Sequence, residues 1–275
     1  AIGIYSYATG WGSTAIGSSV ASGISAVALG HGNIASGNYS TASGLWTTAS
    51  GENSFSTGKG TTASNFCSAA FGWSSVANGW NSFVHGNADS ASGDFSVAFG
   101  ISTKAKGLNS FATGAHTLAS GVRSFTMGNS NVASGDGSFA SGYGTTASGD
   151  NSTSMGSLSS ASGYYSIAIG ERTSATNINT FASGLSTIAS GLNAAAFGKT
   201  DTASGNNSIV GGAFSKASGE CSMAFGIGAR ASGSSSFAAG YVTRGQSRNF
   251  FFAPACRYKP RHCLTAGCKK SNMRC

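Results

Sequence analysis

Glycine returns at every seventh residue over most of this chain, from Gly23, Gly30 and Gly37 through to Gly233 and Gly240, without insertion or deletion. Of the 32 rungs on this ladder, 30 are Gly and the other two are Asn65 and Asn177. The preceding segment, "AIGIYSYATGWGSTAIG", keeps the same beat at Gly3, Gly10 and Gly17, one residue out of phase. Alternate rungs end different phrases. One half reads "NSFATG" or "FSVAFG" and the other "HTLASG" or "STIASG", so the true repeat spans two rungs and is fourteen positions long. A period of this kind identifies stacked, near-identical structural units.

The period excludes most architectures. A Gly at every seventh position costs a helix about 1 kcal/mol each, and with two Pro and no three-residue period the chain is not collagen-like. The 42 Gly and 9% charged residues depart strongly from average values of about 7% and 25%. Yet 40% apolar residues, including 17 Phe, supply a packed structure. Runs of four or five residues with period-two alternation between Gly turns read as short strands. Two such strands and two turns per repeat form one flattened coil of a parallel β-solenoid. Coils then stack about 4.8 Å apart, and the sixteen phased coils give an all-β rod of about 75–80 Å. Gly suits a turn of positive φ and Asn tolerates that geometry best after Gly, which predicts positive φ at Asn65 and Asn177.

Side-chain direction follows from the same alternation. The residue two before the rung is Ala in all 16 "ASG" halves, from Ala21 to Ala231, and the residue four before is nearly always Ser, Thr, Ala, Asn or Asp. Both lie on one face of the strand, and side chains this small suit the inside of a thin roll. Large residues then point out. Three before the rung in the other half stand Phe55, Phe83, Phe111, Phe125, Phe139, Phe181 and Phe237, with Val27, Val97, Ile167, Ile209 and Met223. Where that position is small, as at Ala69, Thr153 and Ala195, the position two residues on is large, as at Phe71, Met155 and Phe197. Conversely Phe55, Phe111, Phe139 and Phe181 are followed by Thr57, Thr113, Ser141 and Ser183. Volume traded between neighbours is the behaviour of a packed interior. The sequence therefore predicts a subunit interface along Phe55, Phe71, Phe83, Phe99, Phe111, Phe125, Phe139, Phe181, Phe197, Phe225 and Phe237, because so long an apolar stripe does not stay in water. The "ASG" half shows mainly Ser and Thr outward, with Lys104, Lys106, Lys216 and Arg230.

"FSVAFGISTKAKG" (95–107) and "YSIAIGERTSATN" (165–177) resemble the repeat of the YadA-like head of trimeric autotransporter adhesins, over roughly residues 1–240. The resemblance implies a left-handed parallel β-roll, a homotrimer packed along its apolar strands, and a place outside the cell on a bacterial surface. It implies adhesion to matrix proteins, glycans, other cells or abiotic surfaces, with neither catalysis nor cofactor. No neck, stalk or membrane-barrel pattern is recognisable, and no run of 18 or more apolar residues forms a spanning helix. No secretory signal opens the sequence, so a secreted chain would be numbered from a processed end or from within a larger protein.

The sequence divides into a repeat body, 1–243, and a basic tail, 244–275. The body holds eight basic and eight acidic residues; the tail holds eight Lys/Arg and no acid, and so creates the net charge of +8. Cys256, Cys263, Cys268 and Cys275 lie in the tail. Their C-x6-C-x4-C-x6-C spacing does not match a zinc site, and an extracellular body argues against nucleic acid as the partner of a basic tail with Phe250, Phe251 and Phe252. Disulfide stapling of a module too small for its own core is the better reading. Cys67 and Cys221 share one repeat position, five before the rung and eleven coils apart, and so do not pair with each other in a straight rod. They are either isolated thiols or links to another chain or to the tail. Acids stand singly at turns, and no pair resembles a hydrolase site; neither a catalytic nor a metal site is expected. His85 is expected to line the stripe beside Phe83. Two further functions compete with the adhesin head. One is an end-to-end filament subunit locked by the Cys-rich tail, favoured by the missing anchor and by a first residue in mid-pattern. The other is an ice-binding solenoid, weakened because Thr47, Thr61, Thr103 and Thr117 fall on the inward face.

Overall fold

A computed structural model describes residues 1–246 and 250–252. The seven-residue beat becomes a coil of one five-residue and one two-residue strand, as in Phe111–Ala115 followed by Leu118–Ala119. Each strand pairs in parallel with its counterparts one repeat before and one repeat after. Phe111 lies between Val97 and Phe125, and Leu118 between Lys104 and Val132. The chain is thus an all-β parallel solenoid of about 17 turns, with no helix among the described residues. Bonds between coils satisfy the backbone, so each coil depends on its two neighbours.

The early phase slip has a location. Thr14 pairs with Val27 and Ser18 with His31, thirteen positions on, whereas Val20 pairs with Ile34, fourteen on. The corner between Ser18 and Val20 is therefore one residue short, and Thr14–Ala21 runs through it as a single eight-residue strand.

At the "ASG" corners the rung itself is not the residue of positive φ, which corrects the expectation for Asn65 and Asn177. Positive φ falls two residues later, at Cys67 (φ 51°) and Asn179 (φ 53°), and likewise at Trp46, Asn109 and His116. The "ASG" rungs are Gly for a different reason. A Cβ on Gly121 would lie 2.0 Å from the carbonyl oxygen of Gly135, one coil on, so glycine permits close backbone approach. Asn65 keeps its coil by supplying bonds of its own. Its carboxamide donates to Asn78 O (3.2 Å) and accepts from Phe66 N–H (2.8 Å), while its own N–H donates to Ser68 Oγ (3.1 Å). Asn177 does the same with Ser190 O and Ile178 N–H.

The inward face is as the sequence predicts. Every "ASG" alanine from Ala21 to Ala231 is fully buried, and the positions four before the rung are buried too, Thr47, Thr61, Thr103 and Thr117 among them. Those four threonines therefore offer no outward array to ice. Parallel pairing also carries the roll past the sequence-based boundary at 243: Arg244–Gly245 pairs with Arg230–Ala231, and Phe250–Phe252 with Phe237–Ala239. The tail cysteines Cys256, Cys263, Cys268 and Cys275 lie outside the described residues.

Two asparagines show what the hydroxyl column of the core requires. Asn33 donates from Nδ2 to Leu29 O (2.6 Å) and Gly44 O (2.8 Å), and its Oδ1 accepts from Thr47 N–H and Oγ1–H (both 2.9 Å). Asn131 repeats this with Met127, Gly142 and Thr145. Asp201 occupies the equivalent position between Thr187 and Ser215. Its Oδ1 accepts from Ser215 N–H at 2.7 Å, but its buried Oδ2 has no partner. That oxygen lies where Asn carries an NH2 group: a Cβ on Gly198 would be 2.8 Å from Asp201 Oδ2 and 2.2 Å from Gly212 O, as one on Gly128 would be 3.0 Å from Asn131 Nδ2 and 2.3 Å from Gly142 O. A proton on Oδ2 would supply the donor that these carbonyls meet in Asn.

Burial accordingly raises the Asp201 pKa above the ordinary aspartate value, partly offset by the Ser215 N–H. With the native value above the unfolded one, the native state binds the extra proton, and stability falls as pH rises from the ordinary aspartate range through the raised native value. Asp201→Asn is expected to remove this component and to stabilise the roll at pH 7. Urea unfolding of both proteins between pH 4 and 8 checks it, and parallel profiles would refute it.

Candidate functional site

The long strand of each coil turns its first and third residues outward, and these form two adjacent columns along the rod. From Phe55 to Phe139 they hold an unbroken stack of rings over seven successive coils. Centroids lie 5.4 Å apart for Phe55–Phe71, 5.3 Å for Phe71–Phe83 and Phe83–Phe99, 6.0 Å for Phe99–Phe111, 4.9 Å for Phe111–Phe125 and 5.3 Å for Phe125–Phe139. The volume exchange read from the sequence is visible here. Phe71 and Phe99 sit in the third-residue column and Phe55, Phe83 and Phe111 in the first, so the stack zigzags without overfilling a coil. His85 lies 6.2 Å from Phe71 and 6.3 Å from Phe99, on the stripe as expected.

The stack breaks at Thr153 and Met155 and resumes as Phe181–Phe197 (5.2 Å) and Phe225–Phe237 (6.3 Å). Phe55, Phe197 and Phe225 remain 39%, 42% and 38% exposed beside exposed Met155, Ile169 and Ile209. From Phe55 to Phe237 is thirteen coil rises, about 62 Å. An apolar strip of that length is far more than a soluble monomer ordinarily leaves in water. Its chemistry is contact rather than reaction. Among the described residues no three of His, Cys, Asp and Glu come together to hold a metal ion.

The family model for the YadA head domain repeat (2 copies) matches residues 21–45, 39–61, 91–117, 119–145, 147–173 and 217–242, more than half of the chain. The chain belongs to the YadA head-repeat family. No curated protein matches it. The matched segments of this YadA-type head include the phenylalanine stack from Phe99 to Phe139 and its continuation at Phe225 and Phe237.

The corners of the YadA-type roll carry features that the period alone did not reveal. Trp46, Tyr143 and Phe214 stand 59%, 58% and 57% exposed at or just beyond the ends of the long strands. At the opposite corner Phe66, Trp80 and Phe95 stack at 5.6 and 6.3 Å. Their signal was available as bulky residues one or two places after a rung. The single acids following a rung have the turn role expected of them: Asp94, Asp136 and Asp150 accept from the backbone N–H of Trp80, Val122 and Asp136, one coil earlier. Among the described residues Cys67 and Cys221 have no disulfide partner; both are exposed and at left-handed corner positions. Among the described residues no helix is long and apolar enough to cross a membrane.

Proposed function

We propose that this chain works outside the cell as the head of a trimeric surface adhesin, a non-enzymatic rod whose three copies pack through their phenylalanine faces. The uninterrupted stack from Phe55 to Phe139 carries the reading. Burying such a stripe removes apolar surface at about 25 cal/mol per Å², and YadA heads form trimers in general. The polar, hydroxyl-rich outer surface of the short strands is left free to meet a ligand.

Sedimentation equilibrium of the purified chain tests the assembly. A mass three times 27.2 kDa is expected, and a monomer at micromolar concentration would overturn it. Electron microscopy of the same sample separates the head from a filament subunit: discrete rods support the head, and continuous end-to-end fibres refute it.

A further inference from the structure

Away from the phenylalanine face, the short strands place three cations in one column. Lys216, Arg230 and Arg244 are directly aligned across successive coils, so neighbours stand one rise apart, about 4.8 Å. All three are exposed, as are Ser218, Ser232 and Gln246 in the column beside them. These six residues line a cleft of about 300 Å³ running along the rod axis. Elsewhere in the described roll this column holds Tyr, Thr, Ser, Val, Leu or Ile, and Lys104 is its one other cation. Like charges directly opposite on adjacent strands repel one another, so this run is costly as long as nothing compensates it.

No carboxylate of the roll does. Among the described residues the ion pair formed is Arg172 with Glu171, and no Asp or Glu follows Glu220. A polyanion laid along the column would supply the compensating charge, and the cleft describes one. It is linear, because the cations are collinear, and it carries repeated anionic groups. Two of the cations are guanidinium forks, which hold tetrahedral oxyanions with paired hydrogen bonds. The flanking hydroxyls and amide suit a hydrated, hydroxyl-rich chain. Among the described residues no aromatic side chain lines the cleft, so these residues offer no stacking platform of the kind used by single-stranded nucleic acids. We infer that the Lys216–Arg230–Arg244 cleft is a binding site for a sulfated polysaccharide lying parallel to the rod.

The basic tail could also hold a polyanion, so the test keeps it in place. Binding of heparin to the full chain is measured by titration calorimetry at several salt concentrations. The variant Lys216→Thr/Arg230→Thr/Arg244→Thr is built from the residue that the same column carries at Thr48, Thr62, Thr146 and Thr202, so it is compatible with the coil. Its affinity is expected to fall at least tenfold and its salt dependence to flatten. Lys104→Thr, at the isolated cation, should stay within twofold of wild type. Desulfated heparin should bind the wild-type protein at least tenfold more weakly than heparin does. Unchanged affinity in the triple variant would place the binding elsewhere and overturn the assignment, and so would equal affinity for a single-stranded oligonucleotide. These outcomes are independent of subunit number, so failure here is distinguishable from failure of the trimer.

Discussion

Phe111→Glu combined with Phe125→Glu should convert the assembled protein into a folded monomer. The two rings stack face to face at 4.9 Å and 5°, in the middle of the longest continuous stretch. Covering the surface they still expose is worth about 1 kcal/mol per ring at 25 cal/mol per Å². Placing a carboxylate in an apolar contact costs several kcal/mol more, and threefold repetition brings the introduced charges together. The dissociation constant is therefore expected to rise at least a hundredfold. The milder pair Phe111→Thr and Phe125→Thr should weaken association less, because Thr41 and Thr153 occupy the same outward position in other coils. Sedimentation velocity reads the assembly and circular dichroism the fold. A glutamate variant that stays trimeric, with its β signal intact, would remove the phenylalanine face from the interface.

Exchanging Gly for Asn at two rungs half a coil apart should give very different results. Gly114 has φ +113°, and a Cβ there would lie 2.0 Å from Gly128 O. Asn at that φ lies outside even the left-handed region that it tolerates, at a cost of about 1–3 kcal/mol before the clash is counted. Gly114→Asn is expected to destabilise by more than about 3 kcal/mol in all. Gly121 faces the same 2.0 Å approach to Gly135 O but without positive φ, and its rung type is the one at which Asn65 and Asn177 already occur. Gly121→Asn should cost clearly less than Gly114→Asn, because the coil must give way to the new Cβ but carries no positive-φ strain, and the carboxamide takes the roles seen in Asn65. Urea midpoints decide between them. Equal losses would mean that close approach alone, and not backbone conformation, sets the Gly requirement on the long-strand side.

These two rungs also show how far the sequence could be read. The two-rung coil, its two strands, the small interior and the outward Phe were all legible, because period, alternation and side-chain volume are properties of the residues in order. The conformation of the rung was not. Glycine is required both by positive φ and by close backbone contact, and the letter is the same for each. The appearance of Asn at two "ASG" rungs pointed to the first cause, whereas the structure assigns the left-handed residue to Cys67 and Asn179, two places on. Position, rather than residue type, was the usable signal, since those corner residues range from Asn and Ser to Trp46, Arg123 and Phe214. The basic cleft was half visible. Lys216 and Arg230 were read as outward, but Arg244 was assigned to the tail, and only the continued pairing brings it into line with them.

The interior has a further consequence, for calorimetry. A core of Ala, Ser and Thr in which Val84 and Val210 are the bulkiest fully buried side chains covers little hydrocarbon per residue. Exposing apolar surface raises the heat capacity on unfolding, and exposing polar surface lowers it. A single roll should therefore unfold with a heat-capacity increment below the usual value of about 12–15 cal/mol/K per residue, and its stability should vary only gently with temperature. In the assembled rod the steeper temperature response belongs to the phenylalanine face, where the stacked rings reside.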